Sequence, residues 1–110
     1  MPFPRSLRNT LASVALGLGL VAPTPAAAEA QVLIVDFMRF EPKVITVPPG
    51  TTVTWTNQDG SNHNVTVAGS QSGRLHMDSS WSHTFEDAGQ YDYHCSMHPR
   101  MTGTVIVEAP

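Results

Sequence analysis

The sequence predicts an all-β domain, a sandwich or barrel of about seven short strands. Apolar and β-branched residues recur in brief alternating runs, clusters of Pro, Gly, Asn and Asp separate those runs, and no segment carries a convincing helical period.

Val32 to Phe37 is the first β-rich run, and Val44 to Val47 the second, closed by the turn-forming Pro48-Pro49-Gly50. Thr52-Val53-Thr54-Trp55-Thr56 alternates polar with apolar, the pattern of a half-buried strand. Asn57 to Asn62 reads as a loop, Asn64 to Val67 resumes a strand, and Gly69 to Gly73 breaks it. Arg74 to Ser80 fits either a loop or a helical turn. Trp81 to Glu86 is a further strand, ended by Asp87-Ala88-Gly89. In Gln90 to Cys95 the period of two puts Tyr91, Tyr93 and Cys95 on one face. Gly103 to Glu108 is the last run.

The first 30 residues read differently. Arg5 and Arg8 make a basic start, Leu11 to Val21 is apolar, and Ala26-Ala27-Ala28 and Ala28-Glu29-Ala30 offer small-residue cleavage sites. That order is a secretory signal peptide, here residues 1–30, with the folded domain at 31–110 and the periplasm as its expected location. The apolar run falls short of the ~20 residues that span a bilayer, so stable membrane insertion is not expected; an uncleaved anchor is the alternative.

Cleavage after Ala30 removes Arg5, Arg8 and Glu29, which leaves four basic and eight acidic residues, a formal charge of −4. That balance argues against nucleic acid as a partner and for a soluble protein, expected to be a monomer. Cys95 is the only cysteine, so an internal disulfide is excluded. A lone cysteine in an exported chain either pairs with another chain or has a chemical task.

The segment Cys95-Ser96-Met97-His98-Pro99-Arg100-Met101 suggests the task. Soft thiolate and thioether ligands favour copper, and imidazole suits it; two His and a Cys with a weak axial Met is the ligand set of electron-transfer copper sites. This loop supplies Cys95, His98 and Met101, each separated by two residues. The second histidine must come from elsewhere, and His63 fits, opening a β-rich run just after a loop.

Tyr91-Asp92-Tyr93-His94-Cys95 with His98, Pro99 and Met101 resembles the copper loop of the cupredoxins, and among them most closely the amicyanins, which share the Cys-x-x-His-x-x-Met spacing. The resemblance extends through Pro49-Gly50-Thr51-Thr52-Val53-Thr54-Trp55 and His63-Asn64-Val65. It implies a Greek-key β-sandwich and one type 1 copper per chain, cycling between Cu(I) and Cu(II). His63 and Cys95 are then the buried ligands, His98 the histidine at the exposed edge, and Met101 the axial thioether. Asn64 is implied to tie the two ligand loops together. The implied electron path runs through His98, inside an apolar docking patch for which Met38, Met97 and Pro99 are candidates. The implied role is a one-electron shuttle between redox proteins, a dehydrogenase or a c-type cytochrome, and not an enzyme. Two positions depart from the amicyanin pattern. Met97 stands where Pro is usual and Arg100 where an aromatic is usual, and the charge beside the patch leaves the partner open.

Plainer readings stand beside these. Cys95 alone would more often be a small buried hydrophobe. His94 lies on the opposite strand face from Cys95, and His76 and His83 read as surface residues, with His76 a candidate for the rim of the site. Trp55, Trp81, Phe85, Tyr91 and Tyr93 read as packing aromatics, and Met77 as core or patch. A periplasmic copper chaperone or store is the competing function, but the five methionines do not cluster around a second site. A multicopper enzyme needs His-x-His pairs, which the chain lacks. Zinc is the competing metal, for which Met is a poor ligand.

Overall fold

Alternating runs bury one face of a strand and leave the other to water, and two sheets that each do this close on a shared core. The computed structural model describes residues 28–110; the expected signal peptide lies outside them apart from Ala28, Glu29 and Ala30. The described residues form nine strands: β1 (Glu29–Val35), β2 (Arg39–Glu41), β3 (Val44–Val47), β4 (Thr51–Asn57), β5 (Thr66–Val67), β6 (Ser70–Gln71), β7 (Ser80–Phe85), β8 (Gly89–Cys95) and β9 (His98–Val107). One sheet has the order β2-β1-β4-β7 and the other β3-β9-β8-β5-β6. The pairs β1–β4 and β3–β9 are parallel and the remaining pairs antiparallel.

This is the expected all-β sandwich, with two strands more than the sequence displays. β2 and β6 are too short, at three and two residues, to show an alternation. Arg74 to Ser80 forms no helical turn: Leu75 bridges to His63, and a turn at Met77-Asp78 leads into β7. β1 starts earlier than expected, because Glu29 and Ala30 pair in register with Thr52 and Val53 of β4.

The alternation decides which side chains meet. Val32, Ile34, Val53, Trp55 and Phe85 of the first sheet face Tyr93, Cys95, Met101, Val105 and Val107 of the second, all essentially buried. Each fully buried aliphatic or aromatic side chain contributes about 1.5–3 kcal/mol, and this core stands in for a disulfide. On the outer face of the first sheet, Thr52–Thr84, Thr54–Ser82 and Thr56–Ser80 pair hydroxyl to hydroxyl at 2.7 Å. Those pairs satisfy the polar side of β4 and β7.

Aromatic rings fill the middle. Trp55 meets Tyr93 edge-on at 5.2 Å between centroids, and Phe40 meets Tyr93 edge-on at 4.8 Å. Burial pushes the Tyr93 hydroxyl up to about 12, with Trp55 acting weakly in the opposite sense. Tyr93 pairs across the sheet with Gly103, and its ring occupies the space where a Cβ on Gly103 would stand. Gly103→Ala is therefore expected to destabilise the metal-free protein by about 1–3 kcal/mol, read as a lowered urea midpoint. An unchanged midpoint would show that the ring is free to move aside.

Candidate metal centre

Cys95 ends β8 and His98 begins β9, with Ser96-Met97 as a two-residue turn between them. The two residues pair directly across this hairpin. Residues opposite one another in an antiparallel pair project from the same face, so the Cys-x-x-His spacing brings thiol and imidazole together. Cys95 Sγ lies 3.5 Å from His98 Nδ1.

Met101 reaches the same region through an irregularity. His94 pairs with Thr102 while Cys95 pairs with His98, so Pro99, Arg100 and Met101 of β9 have no counterparts on β8. Strict alternation would send Met101 to the face opposite His98, three residues away; the bulge turns it inward. Met101 is 2% exposed, packs in the core cluster that contains Cys95, and lines with His98 the depression above the hairpin.

His63 comes from the connection between β4 and β5, held on both sides. Its backbone exchanges hydrogen bonds with Leu75, N–H to O at 3.2 Å and O to N–H at 2.7 Å. The loop before it is pinned by the buried Asn57, whose amide donates to Ser61 O and Leu75 O and whose Oδ1 accepts from Asp59 N–H. The His63 ring is fully buried, with Nε2 2.7 Å from Asp59 Oδ2. An ionised carboxylate only accepts, so Nε2 carries a proton, and in the neutral ring Nδ1 is then the nitrogen with the lone pair. Nδ1 is buried and without a hydrogen-bond partner. A buried nitrogen with a free lone pair is costly unless something binds it.

His63, Cys95 and His98 each offer a ligand atom, and these atoms lie within 4.8 Å of one another. Among the described residues this is the one such group of histidine, cysteine and carboxylate side chains. The donor set fits copper: one thiol, the His63 imidazole with Nδ1 unpartnered, the His98 imidazole with Nδ1 beside the sulfur, and a buried thioether in the same core cluster as the thiol.

Asn64 joins the two ligand-bearing segments. Its Oδ1 accepts from Ser96 N–H at 2.7 Å, its Nδ2 donates to Ser96 Oγ at 2.7 Å, and its backbone N–H points at Cys95 Sγ at 3.4 Å. The expected tie between the loops is therefore present.

The other histidines stay apart. His94 is half-buried on the opposite face from Cys95 and pairs with Thr66. His76 bonds Asn62 Oδ1 at 3.1 Å, and His83 stacks on Trp81. Around His98 the expected patch residues Met38, Met97 and Pro99 are joined by Phe37, Arg100 and Met101. Phe37 and Asp59 are the two residues that sequence reasoning missed. Phe37 sits at the end of a β-rich run and gives no turn signal, whereas Asp59 stands four residues before His63, a spacing that could have been read.

The Asp59 carboxyl is held below its ordinary 3.8, chiefly by the hydrogen bond from His63. A lowered carboxylate value means that this contact supports the fold above 3.8 and is lost as pH falls through the lowered value. Asp59→Asn in the metal-free protein is expected to lose less stability on acidification than the parent, in urea titrations from neutral to acid pH. The same change is expected to weaken metal binding by roughly 10–100-fold in chelator competition, because the ring loses its orienting carboxylate. Equal affinity would show that packing alone aligns His63.

Comparison with known proteins agrees with this geometry. The family model described as a cupredoxin-like domain matches residues 10–107. The amicyanin of Paracoccus denitrificans is 38% identical over 85 residues, 69% of this chain and 65% of that protein's length, a little under two thirds. Amicyanin-alpha of Methylorubrum extorquens is 31% identical over 116 residues, covering 98% of each chain. Among solved structures, a purple cupredoxin from Nitrosopumilus maritimus superposes with a TM-score of 0.69 at 33% identity, over 72% of this chain and 99% of that one. The chain belongs to the cupredoxin family and stands close to the amicyanins within it.

Proposed function

We propose that this protein is an exported one-electron carrier that holds a single copper ion through His63, Cys95, His98 and Met101. The observation that carries the reading is the buried, unpartnered Nδ1 of His63 in a cluster with Cys95 and His98. When bound, copper supplies a Cu(II)/Cu(I) couple to this site.

The chain's own residues supply the rest. Cys95 is fully buried, and with Asn64 N–H beside it the sulfur is positioned as a strong, shielded thiolate donor. Asp59 fixes the tautomer of His63, and the Asn64–Ser96 bonds hold the loops in one arrangement. A site whose donors are held by their surroundings moves little when its charge changes, which favours fast electron exchange. Of the four residues, His63, Cys95 and Met101 are at most 2% exposed, while His98 is half-buried and reaches the surface. Electrons therefore enter and leave by way of His98. The donor and acceptor are redox proteins, a dehydrogenase or a c-type cytochrome, that dock over it in the periplasm. The expected leader, residues 1–30, takes in Glu29 and Ala30 at the start of β1, and its removal leaves the β1–β4 pairs from Gln31 to Ile34 in place. N-terminal sequencing of the exported protein is expected to find a start at Glu29 or Gln31, after one of the two small-residue sites; a retained leader would count against it.

The decisive measurement is the absorption and EPR spectrum with one equivalent of Cu(II). An intense thiolate-to-copper band with narrow hyperfine splitting, absent from Cys95→Ser, is the expected result; an ordinary tetragonal copper spectrum would overturn the reading. Met101→Gln is expected to keep the site and lower its potential, and an unchanged potential would remove Met101 from it.

A further inference from the structure

The surface above His98 carries two features that the copper site does not need. The first is the tip of the β1–β2 hairpin. Phe37 and Met38 have φ of 62° and 54°, the left-handed region that bulky side chains rarely adopt and that hairpin turns usually fill with Gly, Asn or Asp. Phe37 is 82% exposed and Met38 52%, so neither gains core packing in return. Large apolar side chains held in strained backbone on an exposed turn, beside the one ligand that reaches the surface, indicate a contact surface rather than a structural turn. Met97, 38% exposed on the copper hairpin, and Pro99 continue the same apolar area.

The second feature is charge. Residues 28–110 hold nine acidic and four basic side chains, a formal −5. Three of those four bases, Arg39, Lys43 and Arg100, line one groove that adjoins the apolar area through Met38 and Arg100. Arg39 is paired with Asp36 at 3.7 Å, and Glu41 lines the groove as well. Lys43 is held by Thr102, through its carbonyl at 3.2 Å and its hydroxyl at 2.9 Å, and the ion pairs among the described residues include neither Lys43 nor Arg100. A net-acidic domain thus presents Lys43 and Arg100, two cations outside its ion pairs, at the rim of its apolar surface.

We propose that the redox partner docks here with an apolar face rimmed by carboxylates, seated on Phe37, Met38 and Met97 and paired with Lys43 and Arg100. This rests on His98 being the electron port. Charge complementarity at a rim governs encounter rate and register more than final affinity, so the signature lies in the salt dependence of association.

The test is stopped-flow electron transfer from the copper-loaded, reduced protein to two c-type cytochromes used as probes. One has a haem edge ringed by carboxylates and the other a haem edge ringed by lysines. Two net-acidic proteins repel overall, so net charge alone makes the rate with the acidic probe rise as salt is added. The basic rim predicts the reverse: the acidic probe reacts fastest at low salt, slows as salt is added, and loses about tenfold at low salt in Arg100→Glu. Phe37→Ser is expected to slow the reaction at every ionic strength and leave the salt slope unchanged. A rate with the acidic probe that rises with salt, or is indifferent to Arg100→Glu, overturns the proposal. The absorption spectrum of each protein in its oxidised, Cu(II)-loaded form separates the two possible failures. An intact thiolate-to-copper band with the wrong salt slope overturns the partner alone, and absence of that band in the parent overturns the copper site and the partner together.

Discussion

Everything at this site depends on one residue that belongs to neither ligand hairpin nor core. Asn64 follows His63 and reaches across to Ser96, the residue after Cys95, with both ends of its amide, while its backbone N–H faces the sulfur. Each such hydrogen bond contributes about 0.5–1.5 kcal/mol on its own. Their larger consequence is geometric: three bonds converging from one residue fix both the distance and the orientation of two segments that are remote in sequence. With that clasp closed, the side chains of His63 and Cys95 offer their donor atoms in one small volume.

The clasp works because the segments it joins are themselves anchored. Asn57 ties the loop before His63 to Leu75, and Leu75 bridges back to His63, so a stretch without regular secondary structure is held by hydrogen bonds at both ends. On the other side the β8–β9 pairing holds the hairpin, with Tyr93 packed over Gly103 below it. Rigidity is thus built from outside in, from the aromatic core through the hairpin to the ligands. The strained, exposed tip at Phe37 and Met38 costs on the order of 1–3 kcal/mol per residue, a cost the well-packed remainder of the domain offsets.

Much of this was legible in the residues. The strand at Val44–Val47 is found at its predicted bounds, and the runs around Trp55, Trp81 and Tyr93 differ only at their ends, because alternation with a buried face is a local signal. β2 and β6 were not legible, since strands of two or three residues owe their pairing to the neighbour that captures them. The stretch before Trp81 was ambiguous for a related reason: its conformation is set by the bridge from Leu75 to His63, a contact between loops.

The sequence by itself determined the chemistry. A Cys, a His and a Met at intervals of three within a predicted hairpin state which donor atoms are offered, since the spacing across a two-residue turn follows from backbone geometry. Only the tertiary structure decided how those donors are used. It brought His63 to them, gave its ring the Asp59 carboxylate, turned Met101 inward through a bulge, and left His98 the one of the four side chains with a route to solvent. It also gathered Lys43 and Arg100, far apart in the chain, beside an exposed Phe37. Local spacing governs residues a few bonds apart, whereas convergence of distant segments depends on which sheet edges and loops pack together, and no single stretch of sequence records that.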